Sequence, residues 1–239
     1  MGGGMRIAVE LLPQGPYADT VIVIDVLRAT TTAAVYLESG ASEVHFACTL
    51  EEALASKAPG VLLAGERGGL PPAGFDLGNS PLEAQRCNLN GLTVVMSTSN
   101  GTRATHLTAA SAKTVLLGSL RNAHATARRA LALATEEIAI VCAGREGRVG
   151  IDDTYTAGVL CQHLISMVEA ALDDGARIAL DVRRQAAEPS ALLASSAAGL
   201  ALERVGLGAD IPFCAEISQT SLVPTLVGRA GPLLRFAAS

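Results

Sequence analysis

Asp25, Arg28, Glu66, Arg67, Arg148, Asp152 and Asp153 are the side chains of this 239-residue sequence whose types and positions could do chemistry. Asp25 closes the apolar run "VIVID", with Arg28 and the small, hydroxyl-bearing residues Ala29 to Thr32 just after it. A carboxylate at the end of a buried strand is costly unless a metal, a cation or several hydrogen bonds compensate it. Glu66 ends "VLLAGE" in the same way, and Asp152 and Asp153 follow the turn after "EIAIVCAG". Asp25, Glu66, Asp152 and Asp153 brought together would make a hard, oxygen-rich site. Such a site suits Mg2+, with retained waters and a substrate phosphate completing its octahedron. The bland alternative for Asp152 and Asp153 is that the dipole at a helix start favours acidic residues.

A second group of residues suits an anion. "STSNGT", Ser97, Thr98, Ser99, Asn100, Gly101 and Thr102, carries four hydroxyls, an amide and a glycine between an apolar run and a helical pattern. Gly101 permits close backbone approach, and a following helix would offer free N–H groups with a favourable dipole. A capped helix would use the same residues. Arg67 in "GERGG" could clamp an anionic group. Asn79 and Ser80 before Pro81 read as a helix cap. Cys142 and Arg148 stand in a C-x5-R arrangement, as a thiolate-using phosphatase would place them, but Glu146 would put a negative charge in that cradle. His45, His106, His124 and His163 lie away from these clusters and read as structural.

Positioning these groups requires strands that end where the polar residues begin. The runs "RIAVELL", "TVIVIDV", "EVHFA", "VLLAGE", "TVVMST", "TVLLGS" and "EIAIVCAG" read as strands. Helical patterns cover 30–39, 50–57, 81–87, 101–110, 120–134 and 154–171. This alternation predicts an α/β fold with a mostly parallel sheet covered by helices on both faces, its strand order undetermined. Ligands of open α/β sheets bind outside the carboxyl ends of the strands, so the polar groups above could share one site. Beyond residue 175 the pattern turns to Ala/Leu-rich helix, then to "LVPTLV" and "GPLLRF", a C-terminal β-hairpin at the sheet edge or a small subdomain over 176–239. Residues 5–239 read as one domain, and 1–4 as a flexible extension. The Ala/Leu helices suit the core better than a homodimer interface.

Composition narrows the partners. Hydrophobic residues make up 49% and charged residues 17%, an ordinary globular balance, and a net charge of −5 leaves no footprint for nucleic acid. No run approaches the roughly 18 to 20 apolar residues of a membrane span, so no membrane partner is expected. Five unpaired cysteines fit a reduced, cytoplasmic protein.

Taken in order, "DVLRATTT", "GERGG", "DLGNSP", "STSNGT" and "CAGREGRVGIDDTYTAG" resemble the 2-phosphosulfolactate phosphatase family, over roughly residues 22–158. A weaker echo lies in "ADIPFCAEIS" and "VPTLV". The resemblance implies a Mg2+-dependent phosphatase acting on a small anionic phosphorylated substrate, 2-phospho-3-sulfolactate. Asp25, Arg28, Glu66 and Asp152 then become candidates for catalysis, and Asp25, Glu66, Asp152 and Asp153 for metal. Arg67, Arg148 and the Ser97–Thr102 turn become candidates for substrate contacts. Water, a carboxylate or the Cys142 thiolate could be the attacking group. A phosphometabolite-binding protein without turnover is the alternative from another class. A nucleotide-binding protein would want a G-x-G-x-x-G or P-loop signature, and neither occurs.

Overall fold

In the computed structural model, which describes residues 4–186 and 188–239, each predicted apolar run forms a strand. These are β1 (Met5–Glu10), β2 (Thr20–Ile24), β3 (Glu43–Phe46), β4 (Val61–Gly65), β5 (Thr93–Ser97), β6 (Thr114–Gly118) and β7 (Glu137–Cys142). Between them run α1 (Ala29–Glu38), α2 (Leu50–Ala55), α3 (Pro81–Gln85), α4 (Gly101–Thr108), α5 (Ala123–Leu133) and α6 (Ile151–Met167). Of the extension expected at residues 1–4, all but Gly4 lies outside the described residues. Caps set several boundaries: Thr49 and Glu52 form a reciprocal capping box on α2, and Ser80 with Pro81 opens α3.

Both faces of the sheet are buried, which is why its strands are continuously apolar. Ile22 and Ile24 point into a core shared with α5 and α6, whereas Val21 and Val23 point into a second core shared with α1 and α4. Among the described residues no helix is long and apolar enough to cross a membrane.

With β8 (Ala170–Leu172), β9 (Pro224–Ala230) and β10 (Leu233–Ala238), the strands of the described residues run in the order β4-β5-β3-β10-β9-β6-β2-β7-β1-β8. Here the C-terminal segment departs from expectation. β9 (Pro224–Ala230) and β10 (Leu233–Ala238) form the predicted hairpin, but it sits in the middle of the sheet, not at its edge or in a subdomain. One parallel block, β4-β5-β3, lies on one side of it, and another, β6-β2-β7-β1-β8, on the other. Without the hairpin, the inner edges β3 and β6 would leave unpaired backbone groups in the interior. The pairings β3–β10, β10–β9 and β9–β6 are antiparallel and link the two blocks, the last through the single pair Leu116↔Thr225.

Two other boundaries differ. The helix expected to reach residue 171 stops at Met167, where extended backbone at Val168 leads into β8 (Ala170–Leu172), which pairs with β1. The Ala/Leu region is not one long helix but α7 (Asp174–Gln185), α8 (Pro189–Ser195) and α9 (Ala197–Arg204), followed by a short α10 (Asp210–Cys214).

Arg235 of β10 binds Glu43 of β3 through two hydrogen bonds, fastening the hairpin to the first block. Those bonds, then His45, hold the Glu43 carboxyl down at about 2. A carboxyl lowered on folding adds stability above its unfolded pKa of roughly 4.5 and loses it as pH falls towards 2. Glu43→Gln should therefore flatten the fall in melting temperature between pH 4.5 and 2; an unchanged slope would show that this pair does not contribute.

Candidate active site

The site lies where the carboxyl ends of the two blocks meet. Asp25 follows β2 and stands at the starts of two helices at once: its carboxylate accepts hydrogen bonds from the backbone N–H of Ala29, first residue of α1, and of Gly101, first residue of α4. Two helix dipoles thus partly compensate the charge at the strand end. Burial still prevails and, with Glu66 next in effect, pushes the Asp25 carboxyl up to about 7. The approach of α4 depends on glycine: a Cβ at Gly101 would lie 2.6 Å from Asp25 Oδ2 and 2.6 Å from Ala29 Cβ. Gly101→Ala should therefore cost about 1–3 kcal/mol, an overpacking penalty read directly by thermal denaturation. A variant as stable as the native chain would mean that α4 can retreat.

Asp152 and Asp153 occupy the first turn of α6, whose N-cap, Gly150, supplies no side-chain cap. Both carboxylates are turned inward and buried. Asp153 accepts from Val26 N at 2.9 Å and from Gly144 N at 3.0 Å, so it bridges the loops after β2 and β7. Burial first, then Asp152 and Asp25, raises its pKa; burial also raises that of Asp152, with Arg145 partly offsetting. Asp25, Asp152 and Asp153 line one chamber of about 10 Å³, about the space of one water-sized particle. Among the described residues no three His, Cys, Asp or Glu side chains form a ready-made metal cage. The donor set of three buried, mutually repelling oxygen ligands nevertheless fits a hard cation that keeps part of its shell for water and substrate.

Beside this chamber is a pocket of about 120 Å³, which Asp25, Arg28, Glu66, Ser99 and Asn100 help to line. Glu66 uses its two oxygens on Ser99 N and Gly69 N, at 2.8 and 2.9 Å, organising two loops at the pocket wall. Arg67 donates to Glu66 O, Ser97 O and Ser97 Oγ and does not line the pocket. Ser97, at the end of β5, is buried, as are Thr98 and Thr102 at the start of α4, which bond each other reciprocally. The amides expected to cradle an anion are thus engaged by protein: Ser99 N by Glu66, Gly101 N by Asp25, Thr102 N by Thr98. In this turn the Ser99 hydroxyl and the Asn100 backbone N–H make no hydrogen bond among the described residues, while the Asn100 side-chain Oδ1 accepts from Glu146 N. Arg28 is buried, its guanidinium bound to Asp210 Oδ2 at 2.7 Å and to Gly69 O at 3.1 Å. Arg148 is exposed and lies outside the pocket, while Arg145 lines both pocket and chamber.

Cys142 is wholly buried in β7, outside the pocket, with its thiol driven well up by burial, so the geometry does not support it as a nucleophile. His106 meets Phe46 O and His124 packs against His163, structural roles as expected. Sequence reading missed Asp210, which accepts from both Arg28 and Ser80, although the motif "ADIPFCAEIS" contained it. Of the two residues read as a helix cap, Ser80 makes it, while Asn79 lines the pocket with a buried, unpartnered Oδ1. Ala198, Ala201 and Leu202 bring α9 over the same pocket, and nothing in their apolar types signalled that.

Comparison with known proteins identifies the family. The family model described as 2-phosphosulpholactate phosphatase matches residues 7–229. The chain is 55% identical over 234 residues to a protein of Thermus thermophilus named "Probable 2-phosphosulfolactate phosphatase", covering 97% of this chain and 99% of that one. A Deinococcus radiodurans protein of the same name is 54% identical, with 93% and 94% covered, and one from Carboxydothermus hydrogenoformans is 37% identical, with 85% and 84% covered. The match runs through both parallel blocks and into the central hairpin, so it takes in every loop that builds the site, and the chain belongs to the 2-phosphosulpholactate phosphatase family.

Proposed function

We propose that this chain hydrolyses 2-phospho-3-sulfolactate to 3-sulfolactate and inorganic phosphate, with Mg2+ held by Asp25, Asp152 and Asp153. The observation that carries the reading is the chamber where these three carboxylates are buried together against a small pocket. Mg2+, when bound, would supply a Lewis acid that neutralises charge on the transferring phosphoryl group. In the reaction a water oxygen bonds to phosphorus and gives up a proton, the ester P–O bond breaks, and the departing alkoxide takes up a proton, so that water is consumed and its protons are accounted for. Asp153, fixed by two backbone N–H groups, holds the geometry, and Asp25 stands between chamber and pocket. Ser99 Oγ and the Asn100 amide face the pocket as neutral donors to phosphoryl oxygens, and Glu66 shapes their loop. The whole of 5–239 acts as one unit, and the compartment that suits five free thiols is the reducing cytoplasm.

The test is phosphate release from 2-phosphosulfolactate and a panel of phosphorylated hydroxy acids, with Mg2+, with EDTA and after thiol alkylation. Release that needs Mg2+ and survives alkylation is expected, since Cys142 is out of reach. Release that resists EDTA and dies on alkylation would overturn the carboxylate site, and release from no compound would leave a binding protein. Mg2+ should also raise the melting temperature, through about 2.7 kcal/mol of stabilisation at a hundredfold excess over its dissociation constant. A melting temperature that Mg2+ does not move would remove the metal from this reading.

A further inference from the structure

The pocket and its chamber are rich in acid and poor in free positive charge. Asp25, Glu66, Glu146, Asp152 and Asp153 line them, against two cations, Arg28 and Arg145. Arg28 is bound to Asp210 and Gly69 O. The Arg145 guanidinium makes no hydrogen bond among the described residues. Its nearest acid, Glu146 on the surface, stands 3.5 Å away, outside good hydrogen-bonding geometry. A substrate with a phosphate and further acid groups needs a cation for each end, and a metal in the chamber serves only the phosphate end.

The backbone holds Arg145 in place. Arg145 and Arg148 exchange backbone hydrogen bonds of 2.9 Å across a two-residue turn, Glu146 and Gly147, both at positive φ (52° and 74°). Glu146 N donates to Asn100 Oδ1 at 3.1 Å, which ties the turn to the start of α4. At its base, a Cβ on Gly144 would come within 2.5 Å of Arg148 O, so the tight crossing requires glycine there. The hairpin thus presents a planar fork of five donors to the pocket on a braced support, and such forks match oxyanions that present two oxygens.

We propose that Arg145 determines substrate specificity by binding the non-phosphate oxyanion of the substrate, its sulfonate or carboxylate. This rests on the phosphatase reading above. Arg145 is therefore the group that separates a phosphorylated sulfo- or carboxy-acid from a phosphate ester with a neutral body.

The test compares native chain and Arg145→Ala on four phosphate esters: 2-phosphosulfolactate, 2-phospholactate, 2-phosphooxyethanesulfonate and glycerol 2-phosphate. Losing a charged hydrogen-bond pair should raise KM for 2-phosphosulfolactate about 10- to 100-fold with kcat changed less than about 3-fold. KM for glycerol 2-phosphate should stay put. Sensitivity kept with 2-phosphooxyethanesulfonate assigns the sulfonate, and sensitivity kept with 2-phospholactate assigns the carboxylate. Equal losses on all four esters, or none on any, would overturn the proposal. Calorimetric titration with 3-sulfolactate, which lacks phosphate, separates the two readings: binding to the native chain that Arg145→Ala abolishes supports Arg145 even if no ester is hydrolysed. Arg177→Ala, on the exposed face of α7 and outside the pocket, should match the native chain throughout, and a loss equal to that of Arg145→Ala would also overturn the assignment.

Discussion

An Asp25→Asn chain is expected to fold and to release phosphate about 10³-fold more slowly than the native chain at saturating Mg2+. Asn has nearly the shape of Asp and keeps one oxygen to accept from the N–H groups of Ala29 or Gly101, so α1 and α4 should still start there. It lacks the charge and the second acceptor that a hard cation requires. Stability should move the other way. Asp25 shares its chamber with Asp152 and Asp153; burial raises all three pKa values, and neighbouring carboxylates raise those of Asp25 and Asp153 further. Without metal these carboxylates repel, so neutralising one should leave the melting temperature in EDTA equal to or above that of the native chain. A slow variant with an intact fold would place Asp25 in the reaction, whereas near-native kcat would exclude it. Loss of activity together with loss of folding would show that Asp25 is mainly a double helix cap.

Arg28→Met should have the largest effect on stability. Arg28 and Asp210 form an ion pair with both side chains only 2% exposed, and Asp210 also accepts from Ser80 Oγ at 2.6 Å. Removing one partner of a buried pair leaves an uncompensated charge, at a cost of about 3–5 kcal/mol. For a chain of this size that is roughly a 10 °C fall in melting temperature. Arg28→Met/Asp210→Leu should recover most of the loss, because it removes both charges together. A double variant no more stable than the single one would mean that Arg28 acts through its bond to Gly69 O instead. The pair joins three distant segments: the turn before α1, the start of α3 and α10. Arg28→Met should therefore also loosen the wall of the pocket.

Much of the fold was legible in the sequence because it is written in local patterns. Apolar β-branched runs with helical segments between them require a sheet buried on both faces, and β1 to β7 with α1 to α6 follow in the predicted order. Asp25 stood out because the end of a buried strand is a costly place for a charge, and Asp152 and Asp153 because they follow the turn after another apolar strand. The position of the hairpin did not show. "LVPTLV" and "GPLLRF" read as a hairpin anywhere, and only pairing with β3 and β6, about 190 and 110 residues earlier in the chain, put it at the centre.

The arginines mark the same boundary within the site. Types and motifs nominated Arg28, Arg67 and Arg148, while Arg145, just before the turn at Glu146 and Gly147, passed unremarked. The structure commits Arg28 to Asp210 and Arg67 to Ser97, leaves Arg148 outside, and turns Arg145 to the pocket. Sequence by itself determined the α/β class, the family and the acids that gather at the carboxyl ends of the strands. Each follows from local residue types, because burial and periodicity are properties of short stretches. Tertiary structure alone decided which charges are already paired and which face the pocket. Whether an arginine is free depends on acceptors far along the chain, and no local pattern encodes them.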